Sequence, residues 1–201
     1  MEATPTSYPP LDPNDLRIKG TIHIVTYYNA DKNYAVVRLD LSPDSPTPGT
    51  HPLMGKLIAD CHSPRKALTG YHNPLAVLPA GLQARVDAMV PQVCLAGTFP
   101  FIPKKGAVLE VRGKMLRSRD YGWQIQPQHI QEAIPTAEDQ KGLMNFLAAN
   151  VKGVGPKMAE NLVKMHGADL VAIIESEPAR LLEVKGINRD KAEAIQRTWL
   201  E

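Results

Sequence analysis

The sequence lacks the residues and runs that define several classes of protein. It has two cysteines, Cys61 and Cys94, among 201 residues, which excludes a disulfide-dense scaffold and a four-cysteine zinc site. No apolar run approaches the roughly 20 residues of a membrane-spanning helix, and no basic segment followed by an apolar stretch opens the chain. We therefore expect a cytoplasmic protein.

Catalytic signatures are also missing. The chain has no Gly-x-x-x-x-Gly-Lys-Ser/Thr loop, which excludes an ATP-binding motor of that kind. The acidic residues form no evident pair for metal-assisted hydrolysis. The spacing of the histidines and cysteine in one proline-rich segment matches no zinc template; these residues are His51, Cys61, His62 and His72. We expect no enzymatic activity, no cofactor and no metal.

A strong excess of one charge is absent as well. The net charge is +2, with 22% charged and 43% hydrophobic residues, as in ordinary globular proteins. A polyanionic partner would therefore have to be held by local features rather than by the charge of the whole molecule.

Proline is abundant, and its distribution divides the chain. Twelve of the 18 prolines cluster in the first 13 residues, at 43–52 and at 64–91, and these segments cannot be central strands or long helices. We predict a disordered tail at residues 1–16 and an insertion at about 42–91, with one short helix near 82–89.

Alternating apolar residues predict a β-structure at residues 17–134. Strands are expected at 17–28, with Ile18, Ile22 and Ile24 on one face, and at 34–41, 92–98, 107–115 and 121–130. Cys94 falls among apolar neighbours in the third strand and is expected in the core. Five strands around one apolar face fit a small closed barrel such as the OB-fold.

The region 135–201 is predicted to be helical, which makes the fold class α+β. Its main feature is a duplication: Val151-Lys152-Gly153-Val154-Gly155 recurs 33 residues later as Val184-Lys185-Gly186-Ile187-Asn188. Each copy predicts a tight turn between two helices. Ordinary helix hairpins closed by glycine are the alternative explanation, which the repeat in register with flanking lysines makes less attractive.

Such a turn can bind phosphate. Amides from Val154 to Lys157 would point outward at the positive end of a helix that Pro156 begins. Val154 and Ile187 would turn inward and hold the helices together. A site of this kind contacts the nucleic-acid backbone and does not read sequence.

The duplication resembles a tandem helix-hairpin-helix module, found in many DNA repair and recombination proteins. The resemblance implies two sites for DNA phosphates: Lys152, Gly153, Val154, Gly155 and Lys157 in the first, and Gly186, Ile187, Asn188 and Arg189 in the second. Asn188 stands where a second glycine is expected. Asparagine tolerates left-handed geometry and caps helices, so the fold should persist while the phosphate contact weakens.

A further DNA contact is predicted on the barrel, where basic and aromatic side chains alternate as in single-strand grooves. The residues are Arg112, Lys114, Arg117, Arg119, Tyr121 and Trp123. The alternative is a solvated hairpin with Trp123 partly in the core.

Three short segments resemble the N-terminal region of RecD-like DNA helicases: Gly-Thr-Ile-x-x-x-Thr-Tyr-x-Asn at 20–29, Tyr-Gly-x-Gln at 121–124, and Glu-x-Glu-Pro-x-Arg-Leu-Leu-Glu-Val-x-Gly-Ile at 175–187. The resemblance implies a DNA-binding accessory or front end of such a helicase, with DNA and a motor subunit or repair protein as partners. The 42–91 insertion is not explained by it.

Two alternatives remain. The same two kinds of domain occur in RuvA-like junction-binding proteins, although that family continues beyond its second repeat into another domain. The chain could instead be an adaptor that docks a helicase or nuclease, because residues 136–201 carry nine basic and ten acidic residues.

Overall fold

The computed structural model describes residues 12–62 and 78–201 and confirms an α+β protein with a β-barrel followed by helices. The strands are β1 (Leu16–Asn29), β2 (Tyr34–Leu41), β3 (Gln92–Thr98), β4 (Val108–Ser118) and β5 (Gly122–Ala133). The helices are α1 (Met54–Cys61), α2 (Ala80–Asp87), α3 (Gln140–Asn150), α4 (Pro156–His166), α5 (Leu170–Ser176) and α6 (Arg189–Leu200), with 3-10 turns at Gly167–Asp169 and Pro178–Glu183.

The five strands close into a barrel in the order β1-β2-β3-β5-β4. All neighbours are antiparallel except β3 and β5, which run parallel and share the single register pair Leu95 and Ile125. Alternate residues of β2, such as Val37 and Leu39, point inward and are fully buried. The predicted OB-like barrel is therefore confirmed.

Two details of β1 differ from the prediction. Leu16, assigned to the tail, is fully buried and pairs with Gly113, so the barrel begins there; residues 1–11 lie outside the described part. Ile24 is 46% exposed rather than buried. A register shift between Ile22 and Ile24 inserts one residue, which moves the following side chains to the opposite face.

The described residues of the 42–91 insertion include a helix that packs against the barrel wall. Helix α1, which the sequence analysis missed, packs against both β3 and β5. It lies where those two strands pair least, and Asp60 accepts a hydrogen bond from the backbone amide of Trp123 at 2.8 Å. The carboxylate thus satisfies a strand amide at the weak point of the barrel. The predicted helix near 82–89 corresponds to α2.

The helices after β5 enclose a second apolar core. Leu143, Leu147, Leu162, Ile174 and Ile195 are fully buried there. The last helix is fixed by its tryptophan: the indole of Trp199 meets Phe146 edge to face at 5.6 Å and donates to Glu175 at 3.0 Å. The two repeats therefore form one compact unit rather than two separate hairpins.

Helix α3 joins this unit to the barrel. Asp139 is 4% exposed; it caps α3 by accepting from the Gly142 amide at 2.8 Å and also accepts from the Ser42 hydroxyl at 2.7 Å. Lys141 reaches Asp40 of β2 at 3.0 Å. One carboxylate thus begins the helix and attaches it to the barrel.

Replacing Asp139 should test this attachment. We expect Asp139→Ala to lower the free energy of unfolding by about 2–3 kcal/mol, because it removes a helix cap and leaves the Ser42 hydroxyl buried without an acceptor. The neighbouring Glu138→Ala, which changes an exposed side chain, should cost less than about 0.5 kcal/mol. Urea unfolding measures both, and equal effects would show that Asp139 has no such role.

Candidate nucleic-acid interface

The two hairpins have the same geometry. Gly153 has φ +85° and Gly186 has φ +94°, a conformation that side chains with a Cβ rarely adopt. In each hairpin the first and fourth residues are buried, and the lysine, the glycine and the last residue are exposed. The duplicated sequence therefore gives two duplicated turns.

The apolar residue of each turn serves the fold. Val154 is 2% and Ile187 7% exposed, which confirms that both side chains turn inward. Their amides also donate within the turn, Val154 to Val151 at 3.1 Å and Ile187 to Val184 at 3.0 Å. The prediction that these two residues contact DNA is corrected on this point, because neither has an amide free to donate to a phosphate.

The first hairpin nevertheless keeps open donors. In the part of the chain that the structure describes, the amides of Gly153, Gly155 and Lys157 donate to no protein acceptor. Gly155 is the N-cap of α4, followed by Pro156 at the first helical position. No atom lies within 4 Å of the place that a Cβ on Gly155 would occupy. Free amides, a positive helix end and open space occur together here.

The second hairpin differs from the first at its last residue, where Asn188 stands in place of Gly155. Its backbone is extended, with φ −106°, and its side chain accepts from the Lys191 amide at 3.0 Å. The expectation that Asn188 caps its helix and preserves the fold is therefore confirmed, and Gly186 makes the positive-φ turn. The amide side chain occupies the space that Gly155 leaves open in the first copy, which favours the first hairpin as the better phosphate site.

The hairpins lie side by side. A Cβ on Gly153 would be 3.7 Å from the Cε atom of Lys191, at the start of α6. A Cβ on Gly186 would be 3.3 Å from the Cε atom of Met158, at the start of α4. Each turn thus faces the opposite helix N-terminus, and both open onto one surface.

The charges on this surface differ between the copies. Lys152 and Lys185 are exposed at matching positions. Lys157 pairs with Glu160 at 3.2 Å. Hydrogen bonds from Lys164 and Lys157 lower the pKa of the Glu160 carboxyl. The second hairpin carries an additional acidic residue, Asp190, in the first turn of its helix, which repels an approaching phosphate.

On the second copy, the two basic residues beside the hairpin are engaged within the protein. Arg189 pairs with Glu193 at 3.2 Å. The ammonium of Lys191 donates to the Gly186 carbonyl at 2.9 Å. Exposed pairs of this kind are weak and can be exchanged for a phosphate.

The barrel has a groove of about 560 Å³ on its outer face. Three exposed tyrosines line it: Tyr27 is 52%, Tyr34 37% and Tyr121 54% exposed. Arg38 and Gln124 contribute polar atoms, and the end of α1 borders the groove. Rings with a cation beside them can stack on unpaired bases and contact their phosphates.

Two thiols also border the groove. Burial raises the pKa of Cys61 to about 12, with Cys94 nearby adding to the effect, and burial raises the pKa of Cys94 to about 11. Both therefore remain neutral at physiological pH. Cys94 was expected in the core; it faces outward because β3 buries the alternate residues Val93 and Leu95.

The residues predicted as the barrel's DNA contact are not brought together. Of Arg112, Lys114, Arg117, Arg119, Tyr121 and Trp123, Tyr121 alone lines the groove. Trp123 is 4% exposed in the barrel core, so its prediction as a stacking platform is wrong. Trp123 and Ile125 are two residues apart on β5 and both point inward, and α1 packs against this strand.

None of the basic members of that set lines the groove. Arg112 is six residues along β4 from Ser118, or roughly 20 Å away, and it is paired with Asp15. That hydrogen bond raises the pKa of Arg112 and lowers the pKa of Asp15. Arg119 is exposed in the turn, and Lys114 and Arg117 are partly buried along β4.

Sequence reasoning missed the groove's other members. Tyr27, Tyr34 and Arg38 come from strands that were assigned to the barrel for their apolar faces. Their outward positions follow from the alternation of β2, where Tyr34, Val36 and Arg38 share the face opposite Ala35 and Val37. The outward face of that strand was the available signal.

Within residues 12–62 and 78–201, no group of three or more histidine, cysteine, aspartate or glutamate residues could hold a metal ion; His72 lies outside these ranges. No helix in the same ranges is long and apolar enough to cross a membrane.

Comparison with known proteins agrees with this architecture. Residues 146–199 match the family described as a SAM-like helix-hairpin-helix tandem. An ATP-dependent RecD2 DNA helicase from Deinococcus radiodurans is 26% identical over 110 residues, which is 54% of this chain and 15% of the relative. The UvrABC system protein C of Acetivibrio thermocellus is 46% identical over 46 residues, 23% of this chain and 7% of the relative.

The similarity is local. The matched segments cover 15% or less of these relatives' own length, and no solved structure gives a significant match. The C-terminal part of the chain is a tandem helix-hairpin-helix domain, and just over half of the chain is distantly similar to one segment of a RecD2 helicase.

Proposed function

We propose that this chain binds DNA without sequence specificity and contacts the phosphate backbone through its first hairpin. The observation that carries the proposal is the set of unpaired amides at Gly153, Gly155 and Lys157, next to an open helix N-terminus. Such amides bind phosphate oxygens and offer nothing that distinguishes bases. The second hairpin adds a weaker contact on the same surface.

The tyrosine groove supports a second contact, with an unpaired strand. Base stacking on Tyr27, Tyr34 and Tyr121 requires no particular sequence, and Arg38 stands beside the rings. Hairpins that hold a duplex and a groove that holds a single strand fit DNA that contains both. We therefore infer a preference for DNA with a junction between duplex and single strand.

The cellular role that fits this activity is DNA repair or recombination in the cytoplasm. One relative is named as a DNA helicase and the other as protein C of the UvrABC system. We propose that the chain acts without catalysis of its own, as an accessory to, or a front end of, a RecD-like helicase motor. The barrel and tandem hairpins would hold DNA for that motor.

Binding to single-stranded, duplex, forked and four-way-junction DNA over a salt series tests the proposal. We expect dissociation constants in the micromolar range at low salt, tightest for the fork, with affinity falling as salt rises because few phosphates are neutralised. A preference for the four-way junction would favour a RuvA-like role instead. Absence of binding to every DNA would favour a protein-interaction adaptor.

The same substitution in the two hairpins should separate their roles. Gly155→Thr places a side chain over the open amides, and we expect DNA affinity to fall about tenfold or more, the loss of roughly one charge-assisted hydrogen bond. Asn188→Thr, in a hairpin where a side chain already covers the helix end, should change affinity less than about twofold. Fluorescence anisotropy with duplex DNA measures both.

Threonine suits this comparison because it caps helices and because both backbones are extended at these positions. Both variants should therefore keep unfolding free energies within about 1 kcal/mol of the parent. Unchanged binding by a folded Gly155→Thr variant would contradict the assignment of the phosphate site.

Removing tyrosine rings should affect single strands selectively. We expect Tyr34→Ala and Tyr121→Ala each to weaken binding of a single-stranded oligonucleotide by about 1–3 kcal/mol, the value of one stacked base, and to leave duplex binding unchanged. Ile134→Ala, at an apolar side chain that is 52% exposed outside the groove, is the control. Equal losses on duplex and single strand would refute a dedicated single-strand groove.

A further inference from the structure

The loop between β3 and β4 brings two lysines close to the first hairpin. Lys104 and Lys105 are exposed, and the next residue, Gly106, is buried against α3. A Cβ on Gly106 would lie 2.5 Å from the Cβ of Ala149 and 2.8 Å from the carbonyl oxygen of Asn145. Ala149 is three residues before Lys152 of the hairpin, so this contact sets the lysine loop beside it.

The loop is held rigidly in that position. Ala107 donates to the Lys104 carbonyl at 3.2 Å, which closes a four-residue turn with Gly106 at φ +88°, the geometry that a glycine at the third position permits. Gly106 donates to the Ile22 carbonyl at 2.9 Å, and Ile22 donates to the Ala107 carbonyl at 2.8 Å. Backbone bonds to β1 and contact with α3 thus fix the backbone of the loop beside α3.

These lysines have no acidic partner, whereas at least eight of the 21 lysines and arginines within the described ranges do. Lys19, Arg112, Lys141, Lys157 and Arg189 each lie within salt-bridge distance of a carboxylate. Within residues 12–62 and 78–201, Lys104, Lys105 and Lys152 have none. The barrel loop and the hairpin therefore contribute three uncompensated positive charges on either side of the contact between Gly106 and Ala149.

We infer that Lys104 and Lys105 extend the phosphate-binding surface of the first hairpin, so that the barrel and the helical domain contact one DNA backbone together. The inference rests on the proposed DNA binding. Duplex DNA carries one negative charge per roughly 1.7 Å of helix axis, so a backbone held at Gly155 also presents phosphates to lysines on the neighbouring loop. The ligand of this site is the sugar-phosphate backbone, without regard to sequence.

The salt dependence of duplex binding tests the inference. The double substitution Lys104→Ala with Lys105→Ala should lower the magnitude of the slope of log affinity against log salt by between about 1 and 2, and weaken binding at 0.1 M salt by roughly tenfold or more. The matched control is Arg85→Ala with Arg197→Ala, which removes the same total charge. Arg85 is exposed on α2, and Arg197 is exposed in the last turn of α6.

The outcomes separate this inference from the proposed function. A reduced slope for the loop variant with an unchanged control supports it. Equal reductions in both variants would overturn it, because net charge alone would then explain the loss. An unchanged slope for the loop variant, together with weaker binding by Gly155→Thr, would overturn the loop contact and leave the hairpin site standing. Absence of DNA binding by the parent chain would remove both.

Discussion

A single backbone constraint organises the helical half of the protein: the chain reverses between two helices within five residues, and it can do so because one glycine in each hairpin adopts positive φ. Gly153 and Gly186 make this turn, and the residue that follows each of them, Val154 or Ile187, is turned into the core. Once the apolar residue is anchored, the helix behind it must begin at the surface with its first amides directed outward. The proposed binding surface is therefore a consequence of how the hairpin packs.

The two copies share this geometry but differ at the helix N-terminus that follows the turn. In the first, Gly155 leaves the helix N-terminus uncovered. In the second, Asn188 covers it and satisfies the Lys191 amide. Among the described residues, the matching amides are free in both copies, so the difference is that no side chain covers them at Gly155. The duplication has thus produced one hairpin suited to binding and one suited to holding the domain together, each contacting the N-terminal turn of the other's helix.

The docking of the barrel gives the surface its extent. Asp139 connects the cap of α3 to Ser42, and Gly106 lets the β3–β4 loop approach α3 more closely than any side chain would allow. These contacts place the lysine loop next to the first hairpin. On the outward face of β2, Tyr34 and Arg38 line the groove, and Asp40, two residues further on, meets Lys141 of the helical domain. The groove and the helical domain therefore share one strand.

The sequence predicted what depends on local pattern. The glycine repeat, Pro156 and the alternation of β2 identified both hairpins and the barrel, because those features are written in neighbouring residues. The packing of residues that are distant in the sequence could not be predicted from it. The burial of Trp123 depends on α1, which belongs to a proline-rich segment and covers the junction of β3 and β5. The helical spacing of Met54, Leu57, Ile58 and Cys61 was a signal that could have located α1. The exposure of Ile24 follows from a β-bulge that no residue type in β1 predicts.

The most direct test of the central claim is an NMR titration of the amide resonances with a short duplex DNA. If the first hairpin holds the phosphate backbone, the amides of Gly153, Gly155 and Lys157 should show the largest chemical-shift changes, with smaller changes at Gly186 and Asn188. The Lys191 amide, which is already bonded to Asn188, should change little. Shifts absent from the first hairpin, while other surfaces of the folded protein respond to DNA, would contradict the account.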